Sequence, residues 1–368
     1  MSEIDIQMNS NCYLAGLLFN RCSMIDLPEK ISSVEQLEEL ISRPYDETVK
    51  LFTSLDGDIL ILGINGKIGP SLARMARRAS DLAGSGKNII GVDRNFDPVQ
   101  RSVFKALNIE IIEGDLLDVS FVNSLPGAGN IFFLAGMKFG AVDNLPLTWA
   151  INSYLPAIVA EKFKNSTIVA FSTGCVYPLV PIDSGGSLES DPPVAIGEYA
   201  QSCLGRERMF EYGSLRYNTK TALIRLNYSV EMRYGVLVDI ATRVQNRQPV
   251  DLSMGHFNVI WQGDVNNYVL QSLKIAATPA KILNLTGPEI LSVRDVATEF
   301  GNLMGIKPQF VSSESDTALL SNSSDAYTLL GSPKVDISRV IRWVAGWLME
   351  RRPLLGKPTH FEVRDGKY

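Results

Sequence analysis

The sequence predicts an α/β fold, a doubly wound parallel sheet with a smaller C-terminal α/β lobe, and three features predict it. Asp58–Leu62 is an apolar run of buried-strand length that ends in Gly63, Gly66 and Gly69, after which Leu72, Met75, Ala76 and Ala79 recur at helical spacing. A second apolar run, Asn88–Asp93, follows that helix and ends in an acid. From there, apolar runs and helical patterns alternate with short connections as far as Arg225. Strands separated by helices pair parallel, with helices on both faces of the sheet.

Residues 1–57 read as a helical extension ahead of the sheet. Ser33 with Gln36 is a capping box opening a helix through Leu37, Leu40 and Ile41, which must stop before Pro44; a second helix spans Asp46–Leu55. Both are expected to cover an edge or face of the sheet. After Asp93 come a helix near Val99–Leu107, a strand at Ile109–Ile112, the turn Gly114–Asp118, a strand at Ile131–Leu134 and a helix over Trp149–Phe163. A strand at Thr167–Phe171, a helix over Gly197–Tyr212 and a sixth strand at Ala222–Arg225 complete the regular part, assigned to residues 58–228. From Asn227 onward the pattern breaks into scattered helices and short strands, so 229–368 are expected to be mainly a substrate lobe whose chain is free to re-cross to the sheet. The Gly-, Ser- and Pro-rich loop Pro178–Ile196 stands where a cover over the substrate would lie.

Hydrophobic residues make up 45% and charged residues 20%, ordinary for a globular protein, and the net charge of −5 offers no footprint for nucleic acid or an anionic membrane. No apolar run is long enough to span a bilayer, and the acidic start MSEIDIQ is unlike a secretory leader, so a cytoplasmic protein is expected. Cys12, Cys22, Cys175 and Cys203 are sparse and irregularly spaced, which argues against a disulfide framework. With His256 and His360 the only imidazoles and no CxxC, no metal site is expected.

A strand, a tight turn and a helix N-terminus build an anion site, because unpaired N–H groups and the helix dipole point outward and glycine lets the ligand approach the main chain. Gly63, Asn65, Gly66, Ile68 and Gly69 are the expected cradle of a dinucleotide pyrophosphate. Asp93, at the end of the second strand, is placed to accept from both ribose hydroxyls and to repel a 2'-phosphate, which favours NAD. Arg94 beside it is the residue that would hold that phosphate in the less favoured case of NADP.

The spacing Gly63-x-x-Gly66-x-x-Gly69 resembles the extended short-chain dehydrogenase/reductases, the NAD-dependent epimerase/dehydratase family of Rossmann-type enzymes, and the resemblance runs to about Gly301. Gly114-Asp115-Leu116 resembles the turn that meets the adenine amino group. Leu134-Ala135-Gly136-Met137-Lys138 resembles the LAG-x-K turn of the family's 4-epimerases, beside the cofactor, and Asn152 matches an asparagine in the next helix. Phe171–Tyr177 resembles the SS-x-x-VY segment, which makes Thr173 the catalytic hydroxyl; Glu198–Ser202 resembles the start of the Y-x-x-S-K motif, which makes Tyr199 the base. Phe257–Val265 and Leu283–Val296 resemble later segments. The resemblance implies NAD as cofactor, a sugar, sugar acid or nucleotide sugar as substrate, and a keto intermediate formed by hydride transfer. Asn227, Arg233 and His256 are the candidates for holding that substrate. It also implies a homodimer paired through the helices at Trp149–Phe163 and Gly197–Tyr212; the apolar residues Leu155, Ile158 and Leu204 on those helices are the candidates for the contact, with the sheet the other surface open to some of them.

Where the family has the motif lysine, this chain has Cys203. In the family that lysine lowers the tyrosine pKa; bringing a phenol from ~10 to about 7 takes roughly 4 kcal/mol, which a neutral thiol does not supply. Arg206 and Arg208 lie roughly 10 Å or more past Tyr199 along the helix axis at ~1.5 Å per residue, so Lys138 is the expected cation. The alternative is a sensor or partner protein that kept the NAD site and lost its base. Cys175 and Cys203 themselves are expected to be small core residues.

Overall fold

The structure is a computed structural model and describes residues 26–138, 141 and 143–367. Cys12, Cys22 and the acidic start of the chain lie outside these residues.

Two helices, α1 (Val34–Ile41) and α2 (Asp46–Ser54), precede the sheet. Its seven strands are β1 (Ile59–Leu62), β2 (Ile89–Asp93), β3 (Glu110–Glu113), β4 (Asn130–Phe133), β5 (Thr167–Thr173), β6 (Thr221–Leu226) and β7 (Lys281–Leu285). They pair in parallel in the order β3-β2-β1-β4-β5-β6-β7. β1 and β4 run side by side from Ile59 against Asn130 to Leu62 against Phe133, and both are buried along their whole length, as unbroken apolar runs require. The strand order reverses between them, so the fold is doubly wound and Rossmann-type, with its ligand crevice beyond the carboxyl ends of β1 and β4. β7 comes from the C-terminal part of the chain, which leaves the sheet at Leu226 and returns to complete its edge.

Between strands run α3 (Gly69–Leu82), α4 (Pro98–Ala106), α5 (Val119–Ser124), α6 (Leu145–Trp149), α7 (Leu155–Lys162) and α8 (Gly197–Tyr217). Asp118 caps α5 by accepting from Ser120 and Phe121 N–H. A π turn, Ala150–Tyr154, joins α6 to α7 just where Pro156 has no N–H to return to residue 152. Leu155, expected at a dimer contact, is 1% exposed and belongs to the core on the sheet, while Ile158 is half-buried against that core.

The C-terminal part adds α9 (Val236–Gln245), α10 (Gln262–Gln271), α11 (Val293–Met304), α12 (Ser324–Leu330) and α13 (Ile337–Met349); α10, through Val265, Tyr268, Val269 and Leu270, and α12, through Ala326, pack into the core of the sheet, while α9, α11 and α13 build the lobe. Its core gathers Val244, Phe300, Trp261, Trp343 and Trp347, and into it α1 inserts Leu37, Leu40 and Ile41. Only α2 covers the sheet as expected, through Leu51 and Phe52. An apolar face specifies burial without specifying the partner, which is why both helices looked alike in sequence. No helix among the described residues is long and apolar enough to cross a membrane.

Candidate functional site

The three glycines after β1 play different parts. Gly63 has φ +86°, and a Cβ there would lie 2.6 Å from the Ala135 nitrogen, so β1 and the end of β4 touch only because it is glycine. A Cβ at Gly69 would overlap the Ile64 carbonyl, which lets α3 start tight against the turn. Gly66 meets nothing closer than the Gly63 oxygen at 3.4 Å. Its open side lines a cavity of about 770 Å³, together with Asn65, Ile68, Gly69, Leu134, Gly136, Lys138, Thr173, Tyr199, Asn227 and Arg233.

Gly63, Asp93, Arg94, Asp115, Leu116 and Ala135 lie outside that cavity. Asp93 and Asp115 stand at and just after the ends of the neighbouring strands β2 and β3. The Asp93 carboxylate accepts from Asn65 N–H at 2.9 Å and Arg94 N–H at 2.8 Å, and Asp115 accepts from Leu117 N–H at 2.9 Å. His256 is not brought to the cavity either: it pairs with Ser292 in a short ribbon. Nor is the loop Pro178–Ile196, whose Ser187 exchanges backbone bonds with Leu320 and Asn322. Leu355, Lys357 and Thr359 of the C-terminal tail line the cavity instead. Asp239 holds that tail by accepting from Thr359 N–H at 2.7 Å and from its hydroxyl at 2.6 Å.

At the inner end, Thr173 closes β5 and its hydroxyl accepts from Cys175 N–H at 3.2 Å. Tyr199 sits in the first turns of α8, hydrogen-bonded to Cys203; burial and the two sulfurs of Cys203 and Cys175 hold its phenol well above the ordinary value, against the pull of the Arg206 guanidinium. Burial likewise pushes the Cys203 thiol up. Arg206 was set aside on the distance between backbones, but helical side chains lean towards the N-terminus. Its guanidinium reaches back under Gly136, donating to the Phe171 carbonyl at 2.8 Å and to Asn152 Oδ1 at 2.7 Å. Lys138 Nζ lies 6.0 Å from the Tyr199 ring centre and donates to the Thr359 carbonyl at 3.3 Å.

The cavity is basic. Lys67, in the glycine turn, has its ammonium 3.2 Å from the Tyr234 ring centre, and burial together with Lys138 and Lys357 lowers its pKa to about 6. A lysine between Gly66 and Gly69 is the signal in the sequence that marks this charge, which backbone chemistry of the turn does not require. Arg233 is less available, since Glu38 at 2.8 Å and Glu231 at 3.0 Å pair with it. Asn227 is committed to Asn258 at 2.8 Å and to the Leu319 carbonyl at 3.2 Å.

Beneath the cavity lies a polar network that sequence patterns did not single out. Glu207 accepts from Ser172 Oγ at 2.5 Å and from Arg225 at 2.9 and 2.7 Å, and Arg225 donates to the Tyr177 hydroxyl at 2.6 Å. The Tyr177 hydroxyl donates in turn to Asn284 at 2.9 Å, so the network clamps β5, β6, β7 and α8 together at the carboxyl edge.

No family model and no curated sequence matches the chain. Solved structures do match its fold. The structure of Pal from Bacillus thuringiensis aligns with a TM-score of 0.66 at 19% identity, over 80% of this chain and 100% of its own. An epimerase from Methanothermobacter thermautotrophicus aligns at 0.65 and 20% identity, over 84% and 97%. UDP-glucuronic acid 4-epimerase from Bacillus cereus, in complex with UDP-glucuronic acid and NAD, aligns at 0.65 and 17% identity, over 80% and 99%.

Proposed function

We propose that the chain is an NAD-dependent oxidoreductase of the epimerase/dehydratase type, acting on a sugar, sugar acid or nucleotide sugar through a keto intermediate. The observation that carries this reading is one cavity joining the glycine turn at the β1/β4 reversal to Thr173 and Tyr199. The fold shared with epimerases, one of them bound to NAD and UDP-glucuronic acid, supports it.

The residues fit the dinucleotide. Gly66 leaves the turn open to a pyrophosphate, and the first N–H groups of α3 lie beside it; Asn65, Ile68 and Gly69 complete the cradle, whose turn Gly63 makes. Asp93 would hold the adenosine ribose, Asp115 and Leu116 the adenine, and Leu134, Ala135, Gly136 and Lys138 the nicotinamide half. NAD, when bound there, would supply the hydride acceptor for a substrate carbinol. Thr173 hydrogen-bonds the substrate oxygen where charge develops, and Tyr199 takes its proton. Lys138 and Lys357 set a positive potential for the anionic groups of cofactor or substrate, and Lys67 beside them takes up its proton as an anion binds. Asn227 and Arg233 form part of the substrate wall, and two copies of the chain pair through the outer faces of α7 and α8.

Absorbance at the reduced-nicotinamide band, with product analysis, over a panel of sugars, sugar acids and nucleotide sugars tests the reaction. Titration of NAD against NADP tests the cofactor: tighter NAD, with the gap narrowed in Asp93→Ser, is the expected result. Equal affinities in the wild type would move the role to Arg94. The hydrogen bond from Tyr199 to Cys203 favours a second reading, a protein that binds NAD without turning a substrate over. NAD binding with no turnover on any member of the panel would select it.

A further inference from the structure

We propose that Arg206 is the positioning residue that replaces the missing lysine: from the floor of the cavity its guanidinium supplies the fixed positive charge that acts on Tyr199. The inference rests on the reading of Tyr199 as the base in an NAD cleft.

Tyr199, Cys203 and Arg206 follow one another at spacings of four and three residues, so they share one face of α8. The family position on that face holds a sulfur. The next position holds an arginine whose side chain turns back into the same cavity wall as Gly136, Ser172 and Thr173. Its placement is tightly determined. Asn152 Oδ1 accepts from both Arg206 and Met137 N–H, while Asn152 Nδ2 donates to the Met137 carbonyl and to Ser202 Oγ. A Cβ at residue 136 would come within 2.6 Å of the guanidinium and push its tip off this place.

The charge is also unbalanced. Arg206 is 6% exposed, and its hydrogen-bond partners, a backbone carbonyl and an amide oxygen, are neutral. Among the described residues no carboxylate pairs with it, and its Nε is buried with no partner. The adjacent Glu207 is taken by Arg225 and Ser172. A buried cation without an anion costs stability, and such a group persists where a site uses its field. The sulfurs facing Tyr199, Cys203 on α8 and Cys175 on the turn after β5, favour the neutral phenol. Lys138, on the turn after β4, also faces the ring, its Nζ 6.0 Å from the ring centre, but it is held by one bond to the Thr359 carbonyl of the tail, so its charge adds to that of Arg206, which two bonds fix in the wall.

The test needs no substrate. Protein labelled with ¹³C at tyrosine Cζ is titrated in its NAD complex, the Tyr199 signal being assigned with Tyr199→Phe. Arg206→Gln keeps donors and removes charge, and is expected to move the Tyr199 titration up by about one pH unit or more, a ~10-fold loss of phenolate at a given pH. Arg206→Lys keeps the charge and is expected to stay within about half a unit of the wild type. A folded Arg206→Gln that titrates with the wild type overturns the proposal. If that variant does not fold, Arg206→Lys decides, and a rise of about a unit or more in it overturns the proposal. Should the wild type turn over no sugar, the reaction reading fails while the titration still decides the part of Arg206.

Discussion

The Tyr199 hydroxyl donates to the Cys203 sulfur one turn farther along α8. This bond favours the protonated phenol, as do burial and Cys175, so the acid limb of a pH–rate profile should lie high. Cys203→Ala removes the acceptor and should shift that limb down by no more than about half a unit. Cys203→Lys should shift it down by about a unit or more and raise turnover below it, while costing about 2 kcal/mol of stability for a second cation beside Arg206. Profiles of kcat/KM against pH, with urea unfolding of each variant, check both statements; a limb that stays put in Cys203→Lys removes Tyr199 as the base.

Lys67 makes anion binding pH-dependent. Its pKa of about 6 belongs to the cavity without an anion, and a bound pyrophosphate raises it. The complex therefore holds more protons than the free protein above pH 6, and affinity falls as pH rises, by up to about tenfold per unit. Calorimetry of NAD binding at pH 8 in buffers of different ionisation enthalpy should show uptake of up to about one proton, lost in Lys67→Met. Equal uptake in that variant would place the effect elsewhere.

Fold and binding separate at the glycines. Gly63→Ala forces a side chain into φ +86° and against Ala135, and should cost about 2–4 kcal/mol of stability. Gly66→Ala meets only the Gly63 oxygen at 3.4 Å, and should melt near the wild type while weakening NAD binding, because the added methyl stands in the open side of the turn. Thermal melts and NAD titrations of the two variants should thus rank in opposite orders.

The parts legible in sequence were those written locally. β1, β2 and the glycine turn announce themselves by apolar runs and a breaker, and the sheet followed from their alternation. Arg206 was lost because position along a helix axis says little about where a long side chain ends. Lys357 reaches the site from the far end of the chain, through contacts of the tail with Asp239 and Arg233 that no local pattern encodes. The loop Pro178–Ile196 has the composition of a cover but docks on residues 320–322, since backbone pairing with a distant segment leaves no mark on either one.

The buried Glu207–Arg225 pair should behave as a unit. Arg225 is 1% exposed and Glu207 0%, with both carboxylate oxygens engaged by the guanidinium. Arg225→Met leaves an uncompensated buried carboxylate and should cost about 3–5 kcal/mol, whereas Arg225→Met/Glu207→Gln should recover part of that loss. Urea unfolding measures both, and additive losses would show that the two side chains are not energetically coupled.

The association of two copies should depend on aromatic residues that the sheet does not use. Leu155 is turned inward and Ile158 half-buried beside it, while Tyr154 is 56% exposed, Tyr212 61% and Leu215 64%. Pro146, Trp149, Ala157 and Met209 form a shallow apolar depression beside Tyr154, where α6, α7 and α8 meet. A stable pair buries on the order of 800 Å² per partner, and these helices offer an apolar surface on which to do so. Light scattering at micromolar concentration should give twice the chain mass for the wild type. Tyr154→Glu/Tyr212→Glu should give the monomer mass while remaining folded, with a melting temperature lowered only by the lost association and no longer dependent on protein concentration, because neither side chain supports the core. A monomeric wild type would remove the homodimer, and a dimeric double variant would move the contact to another face.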